Sequence, residues 1–282
     1  MRDKQTWAGH VAPLHPIPTA LQPAGKPATR VGAILFDIYG TLFISASGDI
    51  SLARKATRGP DSQLSQLLQK YSVDKTPTTL KQALFNTIDR RHQELKACGT
   101  DYPEIEIDRI WKHVLGWDDM GNVRKFALEY ELIVNPVYPM PHLESTLATC
   151  KRAQIPMGII SNAQFYTPWL FEYFLGASAE ALGFSKDLTI YSFQTGHGKP
   201  SPYLFQLATD RLLARELMPG SVLFVGNDML KDIYPAHQAG FQTALFAGDQ
   251  RSLRLRADDP HCFNLKPDVI ITELKQLCDH IK

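Results

Sequence analysis

Val31-Gly32-Ala33-Ile34-Leu35-Phe36-Asp37-Ile38-Tyr39-Gly40-Thr41-Leu42-Phe43 sets the architecture of this chain. Its first six residues form an unbroken apolar run of strand length. That pattern belongs to a strand buried on both faces; a half-exposed strand alternates. The run stops on a carboxylate, Asp37. Four similar runs follow: Ile155-Pro156-Met157-Gly158-Ile159-Ile160, Ser221-Val222-Leu223-Phe224-Val225, Thr243-Ala244-Leu245-Phe246 and Asp268-Val269-Ile270-Ile271. Between them apolar residues take helical spacing, as at Leu143, Leu147, Cys150 and Ala153, and at Leu204, Leu207, Ala208 and Leu212 after Ser201-Pro202. The alternation predicts an α/β fold, a Rossmann-like parallel sheet with helices on both faces, in which ligands bind beyond the carboxyl ends of the strands.

Residues 46–136 break that rhythm. Leu64, Leu67, Leu68 and Tyr71 form one helical stripe, Leu80, Leu84, Ile88, Arg91 and Leu95 a longer one with a charged outer face. Ile107, Ile110, Trp111, Val114 and Leu115 form a third, ending before Gly116. The segment reads as an inserted helical cap domain over 46–136, with the α/β core divided between 31–45 and 137–282. Residues 1–30 carry Pro13, Pro16, Pro18, Pro23 and Pro27 and lack the apolar stretch of a secretory signal, so they are expected to form a flexible arm and the protein to be cytoplasmic.

Composition excludes several classes. The 282 residues carry 30 Lys and Arg against 29 Asp and Glu, too balanced for the basic field that nucleic-acid binding needs. No apolar run approaches the roughly 20 residues of a membrane span. Cys98, Cys150, Cys262 and Cys278 are scattered without zinc-ligand or redox-pair spacing.

Three polar clusters stand beside later elements: Ser161-Asn162 after Ile160, Lys199-Pro200 before the helix starting near Ser201, and Gly226-Asn227-Asp228 after Val225, with Asp232 four residues on. In a parallel sheet they converge with Asp37 on one edge. A carboxylate there can act as a covalent nucleophile, forming an ester or acyl phosphate that water then opens.

With these four motifs in this order, and a cap inserted after the first, the chain resembles the haloacid dehalogenase superfamily. The resemblance implies a hydrolase acting on a small molecule, with Asp37 as nucleophile, Thr41 and Ser161 holding the transferring group, and Lys199 offsetting charge. It implies a Mg²⁺ site formed by Asp37, the backbone carbonyl of Tyr39 and Asp228, with Asp232 in support. Tyr39 and Asn162 are candidate substrate contacts. The leading expectation is Mg²⁺-dependent hydrolysis of a small phosphorylated metabolite.

One position departs from that pattern. Phosphatases of the superfamily usually carry a second Asp two residues after the nucleophile, and here Tyr39 stands there. A phenol, with an ordinary pKa near 10, is poorly matched to acid–base work at neutral pH. The Asp-x-Tyr-Gly-Thr form resembles the 2-haloacid dehalogenases, whose halide leaves without a proton and whose chemistry uses no metal. Against that, those enzymes tend to have serine and asparagine where Asp228 stands and tyrosine where Phe205 stands, and they need a cap arginine, for which Arg54 and Arg58 are the nearest candidates. A phosphonate-cleaving enzyme would need a cap lysine, such as Lys55. A catalytically weak module that binds a metabolite or a protein is the remaining alternative. His197, Trp111, Trp117, Asp118-Asp119 and Asp258-Asp259 read as loop or packing residues.

Overall fold

The computed structural model describes residue 7, residues 9–46 and residues 61–281. Arg54, Lys55 and Arg58 lie outside the described residues. In chain order the elements are β1 (Ala24–Gly25), β2 (Ala33–Phe36), β3 (Phe43–Ser45), α1 (Asp61–Lys70), α2 (Pro77–Ala97), α3 (Ile107–Leu115), α4 (Met120–Val134), β4 (Val137–Pro139), α5 (Leu143–Arg152), β5 (Met157–Ser161), α6 (Trp169–Leu175), β6 (Phe184–Tyr191), α7 (Ser192–Thr195), α8 (Pro202–Leu213), β7 (Val222–Gly226), α9 (Tyr234–Gln238), β8 (Gln242–Phe246) and β9 (Val269–Ile271). A π-helical turn covers Met229–Ile233.

One seven-stranded sheet has the order β1-β9-β8-β7-β2-β5-β6. All its pairs are parallel except β1 with β9. β2, β5, β7 and β8 are buried at every residue, as their continuous apolar runs require. From β2 the chain builds β5 and β6 to one side, then crosses to build β7, β8 and β9 on the other. The carboxyl ends of β2, β5 and β7 therefore flank the point where strand order reverses, where an open α/β sheet forms its ligand crevice.

The cap is helical, α1 to α4. Its apolar stripes meet each other: Leu64, Leu67 and Leu68 of α1, Leu80, Leu84 and Ile88 of α2 and Ile107, Ile110 and Trp111 of α3 are all buried. Trp111 packs edge-on against Phe126 and Tyr130 of α4, at centroid distances of 5.1 and 4.7 Å. Gly116 ends α3 in the left-handed region, at φ 67°. The cap leaves and re-enters the core through a separate antiparallel ribbon, β3 with β4, in which Ile44 faces Tyr138.

Two elements depart from the sequence expectation. β6 escapes notice because Lys186 and Asp187 are exposed at its centre, so no apolar run marks it. The arm, expected to be flexible, is packed on the core. β1 pairs with β9, the Ile17 amide donates to Asp249 Oδ1 (3.1 Å), Thr19 Oγ1 donates to the Ala247 carbonyl (2.8 Å) and the Thr29 amide donates to Gln242 Oε1 (3.0 Å). Prolines favour extended backbone and bring no amide to satisfy, so such a segment can lie along a core when its other polar groups find partners. At its start, Trp7 is buried and stacked on Tyr173 of α6, and His10 Nε2 lies 3.6 Å from Glu129 of the cap. Among the described residues no helix is long and apolar enough to cross a membrane.

Candidate active site

The site begins where β2 ends. The Asp37 amide donates to the Val225 carbonyl (2.9 Å), extending the ladder one residue beyond the strand and fixing Asp37 at the switch point. The chain then turns sharply through Gly40, whose φ of +85° suits glycine, and a Cβ there would fall 2.6 Å from Ser252 Cβ. The turn brings Thr41 against β7: Thr41 Oγ1 donates to Asn227 Oδ1 (3.0 Å), and Asn227 Nδ2 donates to the Ser252 carbonyl (2.7 Å).

Lys199 holds the center of the site. Its ammonium donates to Asp37 Oδ1 (2.7 Å), Asp232 Oδ1 (2.5 Å) and the Ile160 carbonyl (3.2 Å), so all three of its protons are used. Its backbone is clamped by Asn162, whose Oδ1 accepts from the Lys199 amide (2.6 Å) and whose Nδ2 donates to the Lys199 carbonyl (3.2 Å). The other oxygen of Asp232 accepts from the Asn227 and Asp228 amides, each at 3.0 Å. Gly226 permits that approach, since a Cβ there would lie 2.4 Å from Asp232 Cβ. We expect Gly226→Ala to displace Asp232 and lower stability by about 1–3 kcal/mol, the usual range for overpacking, read by urea unfolding.

Two carboxylates around one ammonium leave an excess negative charge in a buried place. Burial pushes the Asp232 carboxyl up to about 7 against the pull of Lys199, and Asp37 and Asp228 add to the rise. The two carboxylates hold Lys199 above the ordinary lysine range despite its own burial. Both partners thus shift upward, and Lys199 stays charged. Among the described residues no donor reaches Asp37 Oδ2, which leaves that oxygen open for attack.

The remaining expected residues fall into three groups. Asp37, Tyr39, Asn162, Lys199, Asp228 and Asp232 line one cavity of about 660 Å³ between core and cap. Thr41 and Ser161 stand behind its wall, fully buried. Phe205 is not among the residues lining the cavity and packs on Phe224 at 5.1 Å within the core. The Tyr39 hydroxyl shares a hydrogen bond with Thr167 Oγ1 (2.9 Å), and burial pushes the phenol above its ordinary range, further from acid–base use. His197 stacks on Tyr203 at 4.2 Å, and Asp119 caps α4.

Asp228, expected among metal ligands, is engaged elsewhere. Its Oδ2 accepts from Arg256 Nη2 (2.6 Å), and its Oδ1 accepts from Arg256 Nε (3.1 Å) and the Leu230 and Lys231 amides (2.9 and 3.2 Å). Both oxygens of Asp232 are also taken. Mg²⁺ is held by one or two carboxylates together with waters and a substrate phosphate; of the expected ligands Asp37 keeps one oxygen without a donor, whereas both oxygens of Asp228 accept from Arg256 and backbone amides. Among the described residues no three His, Cys, Asp or Glu side chains group as a metal site. Sequence reasoning gave no role to Asn227, although it stands in the quoted Gly-Asn-Asp triplet, and missed Arg256, which lies in a loop without periodicity. It also missed the cap acids Glu104 and Glu131 on the cavity wall.

Comparison with known proteins agrees with this architecture. No curated protein matches the chain. Of solved structures, a 2-haloacid dehalogenase from Pseudomonas syringae pv. Tomato DC3000 is similar at 21% identity and TM-score 0.56, covering 89% of this chain and 98% of that one. A HAD phosphatase from Thermococcus onnurineus is similar at 18% identity and TM-score 0.52, covering 88% and 97%. At such identities the likeness is one of fold, and the fold hosts both chemistries. The model of the haloacid dehalogenase-like hydrolases matches residues 31–240. With that match over most of its length, and with a carboxylate, a lysine and a second carboxylate joined at the switch point of its sheet, the chain belongs to the haloacid dehalogenase-like hydrolases.

Proposed function

We propose that this hydrolase cleaves the carbon–halogen bond of a 2-haloacid through an ester on Asp37, without a metal ion. The observation that carries the reading is the commitment of the carboxylates: Lys199 neutralises Asp37, and Asp228 is held by Arg256. Tyr39 adds to it, because no carboxylic acid follows the nucleophile to protonate a leaving group.

In the first step Asp37 Oδ2 attacks the carbon bearing the halogen. A carbon–oxygen bond forms, the carbon–halogen bond breaks, and the halide leaves with the electron pair. In the second step water adds at the Asp37 carboxyl carbon and the acyl–oxygen bond breaks. This releases a 2-hydroxy acid: one proton of the water goes to the departing alkoxide oxygen, the other leaves to solvent, and Asp37 is restored as a carboxylate. Arg254 on the cavity wall supplies positive charge for the substrate carboxylate.

Mg²⁺-dependent phosphohydrolysis is the second reading, favoured by the presence of Asp37, Asp228 and Asp232 on one cavity wall. The test is product release with and without chelator. We expect halide release from a 2-chloro acid, unchanged by EDTA, and no phosphate release from an aryl phosphate. Phosphate release that requires Mg²⁺, with no halide release, overturns the proposal.

A further inference from the structure

The segment joining α2 to α3 crosses from the cap to the core and meets two core loops. Its backbone pairs with the loop that leads to Lys199. The Gly198 amide donates to the Tyr102 carbonyl (2.8 Å) and the Glu104 amide donates to the Gly196 carbonyl (2.9 Å), an antiparallel bridge between Pro103 and His197. Two residues beyond Lys199, Ser201 Oγ donates to the Asp101 carboxylate, at 3.1 and 3.0 Å from its two oxygens. The Glu104 side chain reaches the second loop, the one that follows β5. Its Oε2 accepts from Ser192 Oγ (2.8 Å), which itself accepts from the Ala163 amide (2.9 Å). Its Oε1 accepts from Gln164 Nε2 (3.2 Å) and the Ile105 amide (3.0 Å). Gln164 completes the contact, donating to the Ile105 carbonyl (2.9 Å) and accepting from the Ile107 amide (2.9 Å).

Resting on the reading of Asp37 and Lys199 as the reacting pair, we infer that Glu104 is a positioning residue by which the cap holds Lys199 against Asp37, acting through Ser192, Gln164 and Asn162. The route is continuous. Asn162 precedes Ala163 in the chain and grips Lys199 at its amide and its carbonyl (2.6 and 3.2 Å). A shift of residues 162–164 therefore carries the ammonium away from Asp37 Oδ1, and a misplacement of about 1 Å can cost about 100-fold in rate. Ser192 and Gln164 are buried, so losing Glu104 leaves their polar groups to find other partners, and the loop moves with them. Ser192 is not among the residues lining the catalytic cavity, so its part in this chain involves no contact with substrate. Glutamine can make the same bonds as Glu104. Its carbonyl accepts from Gln164 and Ile105, and its nitrogen donates to Ser192 Oγ, whose own proton then turns to the Ala163 carbonyl at 3.3 Å.

The test measures kcat and KM for halide release from a 2-chloro acid, with amide hydrogen exchange followed by NMR. Glu104→Ala and Ser192→Ala should each lower kcat by about tenfold or more with KM little changed, the signature of reacting groups misaligned while binding persists. The double variant should lose no more than either single one, because both cut the same chain of hydrogen bonds. Glu104→Gln should retain most of the parent kcat. In Glu104→Ala the Gly198 and Lys199 amides should exchange about tenfold faster, while those of Leu223 and Phe224 in β7 keep the parent rate, which separates a local shift from a general loss of stability. An unchanged kcat in Glu104→Ala, or losses that multiply in the double variant, overturns the positioning role and leaves the proposed reaction standing. A rise in KM alone overturns it too, because Glu104 would then act by touching the substrate. Exchange accelerated equally in β7 reduces Glu104 to a stabilising residue. No halide release from the parent protein overturns the reaction and the inference with it.

Discussion

Replacing Asp37 by asparagine lowers halide release by roughly 10⁴-fold or more, because removing the nucleophile disables both chemical steps at once. The amide keeps the shape of the carboxylate and its backbone bond to Val225, so the fold persists and unfolding by urea changes little. A second readout follows the oxygen. In a single turnover in heavy-oxygen water, the product takes its new oxygen from Asp37 and the label enters the Asp37 carboxylate. Label passing straight into the product would mean that water attacks the substrate directly. Activity that survives the substitution would remove Asp37 from the chemistry altogether.

Replacing Lys199 by methionine has the largest expected effect on stability. The lysine is buried between Asp37 and Asp232, and removing it leaves two unpaired carboxylates in a low-dielectric place. Losing one partner of a buried pair costs about 3–5 kcal/mol. The sign with pH is fixed. Without the ammonium, the Asp232 carboxyl loses the partner that holds its pKa down, so its folded-state pKa lies further above its unfolded value and its protonated form stabilises the fold. That stability is present in acid and lost as pH rises through the raised value. The deficit against the parent protein should therefore be smaller near about pH 5 than near about pH 8 in urea titrations. Adding Asp232→Asn should restore part of the loss by removing one of the stranded charges. A variant equally stable at both values of pH would contradict the electrostatic account.

Much of this molecule was legible in its sequence because burial on both faces writes itself as an apolar run. β2, β5, β7, β8 and β9 all carry that mark, and three of the four cap helices, α1 to α3, carry the complementary mark of spacing. β6 lacked it, since exposed Lys186 and Asp187 interrupt an edge strand. The packed arm was hidden for another reason: its partners, such as Asp249 and Gln242, lie more than 200 residues away, and no local pattern encodes them. The site follows the same division. Asp37, Lys199 and Asp232 were marked by their places at the sheet edge, and the structure joins them. The pairing of Asp228 with Arg256 depends on a loop that folds back from beyond β8. Glu131 sits on a helix whose apolar stripe gave no reason to single out one acid, and its cavity exists only once the cap faces the core.

The short pairing of β1 with β9 has a consequence for how copies of this protein meet. A sheet edge offers unpaired amides and carbonyls to any passing strand, and edge-to-edge addition is a route to aggregation. Here the chain's own arm occupies the β9 side. At the opposite margin, β6 holds Lys186 and Asp187 outward at its middle, where desolvating them would oppose an incoming strand. One flank is closed by its own polypeptide and the other defended by charge, so shortening the arm would expose β9 and open a route to intermolecular strand pairing.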